Sequence, residues 1–171
     1  EKNYLSGIHQ VHNIYTPVHK PFSLSIKPDT LISGKVPKML IIQITDEKKR
    51  VALKSEMKDG YLTAEASAFG NYTIDIDTIP PVISANGLLS EKNLSGKKEI
   101  RIRIKDDLAG IKSYWPEIDG KWALFEYDQK NDLLFYRFDE KRIRKNSNHS
   151  LTLTVSDNKD NISKFSYNFD W

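Results

Sequence analysis

The sequence predicts an all-β protein built as two tandem antiparallel β-sandwich domains. Three observations lead there. Apolar and polar residues alternate with period two in run after run, as half-buried strands require. Turn signals separate these runs at intervals of about ten residues, the spacing of sandwiches and barrels. One Pro-Pro segment, Asp77-Thr78-Ile79-Pro80-Pro81-Val82, divides the chain into two pieces of sandwich size.

The elements follow in order. Phe22-Ser23-Leu24-Ser25-Ile26 alternates and predicts a strand. Met39–Ile44, apolar except for Gln43, suits a strand as well. Asp59-Gly60 separates Leu53–Met57 from Tyr61–Ala66, and Asp-Gly supplies the positive φ of a tight hairpin turn. Tyr72–Ile76 alternates again. Two prolines then remove two backbone donors, so residues 77–82 cannot form an inner strand. The boundary gives an N-terminal domain over 1–79 and a C-terminal domain over 80–171. In the second, Glu99–Lys105 sets isoleucines on one face and charges on the other. Asp119-Gly120 separates Ser113–Ile118 from a predicted strand over Lys121–Tyr127, and Lys130-Asn131-Asp132 separates that strand from Leu133–Phe138. Leu151–Val155 alternates once more. Asp139–Asn146 is the one stretch with room for a helical turn.

Composition excludes several classes of function. Lys and Arg number 26 against 23 Asp and Glu, a net charge of +3, too even for the basic stripe of a nucleic-acid binder. Cysteine is absent, so there is no disulfide, thiol nucleophile or cysteine zinc site. No apolar run approaches the length of a membrane-spanning helix. The chain opens on Glu1 without an initiator Met or export signal, and is expected to be a processed or excised piece.

Several motifs carry a resemblance. Asp77-Thr78-Ile79-Pro80-Pro81, Asp106-Asp107-Leu108-Ala109-Gly110-Ile111 and Val155-Ser156-Asp157-Asn158-Lys159-Asp160-Asn161 are similar to elements of bacterial immunoglobulin-like modules in secreted, cell-surface proteins. Ala109 and Asp160 stand where those modules often have Ser and Gly. Phe69-Gly70-Asn71-Tyr72-Thr73, followed by residues 77–81, Ile118–Trp122 and Glu126-Tyr127-Asp128, resembles the region after the catalytic domain in Bacteroidetes lysostaphin-like murein zinc endopeptidases. The resemblance implies immunoglobulin-like sandwiches. It also implies export to the periplasm or cell surface, and a covalently linked upstream catalytic domain that holds the zinc.

That family's zinc site needs a His-x-His pair, which puts two imidazoles on one side of a strand. The four histidines are His9, His12, His19 and His149, and none forms such a pair. No Gly-x-Ser-x-Gly elbow or phosphate-cradling loop occurs either. Glu126 and Asp128 share a strand face, as a two-carboxylate glycosidase uses, but solvated carboxylates are the commoner reading. The chain is therefore expected not to be an enzyme.

Two binding chemistries remain. Asp106, Asp107, Asp157, Asn158, Asp160 and Asn161 offer hard oxygen ligands for calcium from two loops; the competing reading is Asx-turns that satisfy loop backbone. Tyr114, Trp115, Trp122 and Tyr127 head an aromatic cluster suited to stacking on a glycan. The competing reading, preferred for Trp122, is a core ring. Asp29-Thr30-Leu31 and Asp77-Thr78-Ile79 also match a short O-glycan pattern of exported Bacteroidetes proteins, against ordinary turns. The expected function is a non-catalytic accessory region of an exported murein peptidase, positioning its catalytic domain or contacting envelope components. The alternative is a carbohydrate- or peptidoglycan-binding module.

Overall fold

The computed structural model describes residues 4–85, 87 and 92–171. It is all-β: strands make up 51% of the chain, in four antiparallel sheets. Among the described residues no helix is long and apolar enough to cross a membrane. The chain forms two compact units, Glu1–Ile79 with Leu108–Gly110, and Pro80–Asp107 with Ile111–Trp171.

The first unit contains β1 (His9–Val11), β2 (Phe22–Ile26), a 3-10 turn (Val36–Lys38), β3 (Met39–Ile44), β4 (Arg50–Leu53), β5 (Ser55–Lys58), β6 (Tyr61–Ala66) and β7 (Gly70–Ile76). One sheet has the order β1-β7-β3-β4 and the other β2-β6-β5. Met39, Ile41, Tyr72 and Ile74 from the first meet Ile26, Leu62, Ala64 and Ala66 from the second in one core. The Tyr72 hydroxyl donates to the Ala68 carbonyl four residues upstream. This is the tyrosine-corner arrangement of Greek-key sandwiches, which pins the turn into a strand. Burial pushes the Tyr72 phenol above its ordinary value. On the other face of β7, Asp75 is buried and accepts a 3.0 Å bond from Arg50.

The second unit contains β8 (Val82–Ser84), β9 (Glu99–Lys105), β10 (Ile111–Ile118), β11 (Lys121–Trp122), β12 (Glu126–Asp128), β13 (Leu133–Arg137), β14 (Asn148–Asp157) and β15 (Ile162–Asp170). Its sheets run β12-β13-β9-β8 and β11-β10-β14-β15. Ile100, Ile102 and Ile104 are fully buried against Leu151, Leu153 and Val155, each contributing roughly 1.5–3 kcal/mol over an exposed position. Phe138 stacks on Trp171 with ring centroids 4.7 Å apart.

Two expectations are corrected here. Lys121–Tyr127 is not one strand. The β10–β11 hairpin ends at Trp122, where the Ala123 amide bonds Pro116. The chain then crosses to the other sheet, because Ala123 and Phe125 enter the core between the sheets. Trp122 is not a core ring; it pairs with Glu117 at the sheet edge and is 54% exposed. Residues 139–143 do form a single helical turn, in which the Ile143 and Arg142 amides both bond the Asp139 carbonyl.

Candidate ligand-binding site

The outer face of the β11-β10-β14-β15 sheet follows from strand alternation. In β10, Tyr114, Pro116 and Ile118 turn inward, so Ser113, Trp115 and Glu117 turn outward. The register places Thr154 beside Trp115 and Thr152 beside Glu117, with Lys164 and Ser166 beyond them on β15. Trp122 joins this face through its pairing with Glu117. Trp115 and Trp122 are 57% and 54% exposed, with ring centroids 6.4 Å apart and planes tilted by 50°.

Glu117 holds this arrangement. One carboxylate oxygen accepts the Trp115 indole N–H at 3.1 Å, and the other accepts the Thr152 hydroxyl at 3.2 Å. A tethered ring loses less freedom when a ligand stacks on it. The surrounding Ser and Thr hydroxyls offer donors and acceptors on a pleated platform; Ser113 and Ser156 are already joined at 2.8 Å.

The other two predicted ligand contacts lie on the opposite side. Tyr114 and Tyr127 pack against the core, 5.6 Å apart, and the Tyr114 hydroxyl donates to the Phe125 carbonyl. Burial, with smaller contributions from Asp132 and Tyr114, raises the Tyr127 phenol above its ordinary value. The aromatic cluster is therefore two sets: a pair of exposed tryptophans and a pair of packed tyrosines.

The candidate calcium ligands are also divided. Carboxylate oxygens of Asp106 and Asp157 approach within 4.8 Å, and Asp157 is completely buried. Asp157 caps the β14–β15 turn, accepting the amides of Lys159 and Asn161 and the Asn161 side-chain amide at 2.7–2.9 Å. Asp107, Asn158 and Asp160 are exposed, and Asp160 pairs with Lys112 at 2.5 Å. Asp160 also adopts a left-handed φ of 57° to close the turn.

Among the described residues no histidine belongs to a metal-capable cluster. His9 sits in β1 opposite Tyr72, and His12 lies past the strand end, stacked on Phe69 at 4.7 Å. His149 is different. It is 3% exposed, its Nδ1 lies 2.7 Å from Asp119 Oδ2, and its Nε2 lies 2.7 Å from the Arg144 carbonyl. Both neighbours are acceptors, so the two bonds coexist only when both ring nitrogens carry protons. Burial opposes the Asp119 charge, but bonds from His149 and the Ser150 amide, with the nearby positive charges of His149 and Lys121, outweigh it and hold the carboxyl below its ordinary range. Sequence reasoning passed over His149 as a functional residue. The signal was present: the alternation of Leu151, Leu153 and Val155 runs back to it and assigns it to the inner face.

Residues 1–77 match the family model of the Zu5-like domain. No curated protein matches the chain.

Proposed function

We propose that this chain is a non-catalytic, glycan-contacting accessory region of an exported murein zinc endopeptidase, with its second domain as the contact. The observation that carries this reading is the exposed Trp115–Trp122 pair on one polar sheet face. Two large rings more than half exposed and 6.4 Å apart leave apolar area in water that a soluble domain ordinarily buries. Sugar rings have flat apolar faces and polar rims, complementary to tryptophans set among Thr152, Thr154 and Ser166. The link to a peptidase rests on the ordered motifs from Phe69 to Asp128; the sequence without a His-x-His pair bears only on the non-catalytic part of the reading. In this reading the zinc chemistry belongs to an upstream domain, and the chain works in the periplasm or at the cell surface.

The test is binding of the full chain to purified peptidoglycan and to a glycan array, with Trp115→Ala and Trp122→Ala beside it. Retention of the unaltered chain, and its loss in either variant, is the expected result. Failure to bind any cell-wall fraction or glycan overturns the proposal.

A further inference from the structure

The second domain has a cleft of about 540 Å³ beside Trp122, a volume suited to a small ligand. It lies where the β10–β11 hairpin and the loop after the Asp139–Ile143 turn come together. Lys121, Arg142 and Arg144 line it, together with the buried His149, against one carboxylate, Asp119. That carboxylate is engaged: Oδ1 accepts the Ser150 amide at 2.9 Å and Oδ2 faces His149. Among the described residues neither Lys121 nor Arg144 has an ion-pair partner, and Arg142 meets Asp139 at 3.6 Å. The cleft thus presents an excess of positive charge with donors to spare.

The walls are tied together. Asp119 belongs to the hairpin turn that carries Lys121 and Trp122, and it holds His149. The opposite nitrogen of His149 holds the Arg144 backbone. One buried ring therefore sets the distance between the two sides of the cleft before any ligand arrives, which lowers the cost of binding.

We propose that this cleft takes the anionic group, a carboxylate or a phosphate, of a sugar whose ring lies against Trp122. The inference rests on the glycan reading above and names the class of glycan: acidic. Arg142 and Arg144 supply forked donors to the anion, and Lys121 supplies a point charge from the opposite side. His149 is a positioning residue and need not touch the ligand.

The experiment titrates the full chain by calorimetry at low salt with three matched tetrasaccharides: neutral, uronic-acid-bearing and phosphorylated. At least one charged form is expected to bind about tenfold more tightly than the neutral one, the value of a single added charge-assisted bond. Whichever form gains identifies the anion. Arg142→Gln combined with Arg144→Gln should return that ratio to about one. Both positions are exposed, and a thermal melt verifies folding. Equal binding of neutral and charged sugars, or a charge preference that survives the double substitution, overturns the inference and leaves the glycan reading standing. Absence of binding to all three overturns both.

Discussion

His149 Nδ1 lies 2.7 Å from Asp119 Oδ2 across 30 residues of chain, joining the interior of β14 to the turn that closes β10 and β11. The ring is almost wholly buried, whereas the Asp119 side chain is 46% exposed. Removing the ring therefore leaves a cavity and an orphaned Arg144 carbonyl, while water can still reach Asp119. His149→Ala should cost about 2–3 kcal/mol in chemical denaturation of the full chain. A cost below about 0.5 kcal/mol, the range of plain surface changes, would show that the bridge does not hold the fold.

Asp119 also predicts an acid limb. Its carboxyl is held below the ordinary value of 3.8 in the folded state. Between the two values the unfolded chain binds more protons, so stability there rises with pH. The contribution is complete above the unfolded value and disappears as pH falls through the folded one. Melting temperatures measured from pH 5 downward should fall more gently for Asp119→Asn than for the unaltered chain. Parallel curves would remove Asp119 as a source of the acid dependence.

Trp115 and Phe125 separate binding from packing. Trp115→Ala deletes a ring that is 57% exposed and should change stability by no more than about 0.5 kcal/mol. Phe125, 1% exposed and stacked on Tyr136 at 5.2 Å, should cost about 3–5 kcal/mol as Phe125→Ala. Denaturant midpoints of the two variants check this directly.

Asp106 and Asp157 bear on the calcium reading. Two carboxylates within 4.8 Å repel each other, and a divalent cation relieves that repulsion. We therefore expect millimolar calcium, against chelator, to raise the melting temperature by about 4 °C if it binds at several times its dissociation constant. Asp157→Asn should abolish the rise. An unchanged melting temperature would assign the Asp157 loop wholly to its turn hydrogen bonds.

Much of the β architecture is written in local pattern. The isoleucines of Glu99–Lys105 are fully buried in β9, and Met39–Ile44 coincides with β3. Asp59, Asp119 and Asp132 take positive φ at the turns their sequences mark. Alternation assigns residues to two faces, but a mixed run such as Lys121–Tyr127 does not declare which face meets the core or where the chain changes sheets. Trp122 illustrates this: its exposure follows from pairing with Glu117, which only the assembled hairpin specifies. The His149–Asp119 bridge was equally hidden. It depends on two residues 30 positions apart meeting through the register of β10 and β14.

The strand order of the second domain carries a consequence for its birth on the ribosome. β10 is flanked by the two-residue β11 and by β14, so its principal partner emerges much later than β10 itself. At typical synthesis rates the interval is roughly 2–8 s. During it, Tyr114 and Ile118 have no sheet to lie in, and the nascent strand edge is open to mispairing. β14 and β15, by contrast, zip locally through nine residue pairs as soon as both are present. Closure of the domain therefore awaits the final hairpin, which supplies the partner that β10 lacks until then.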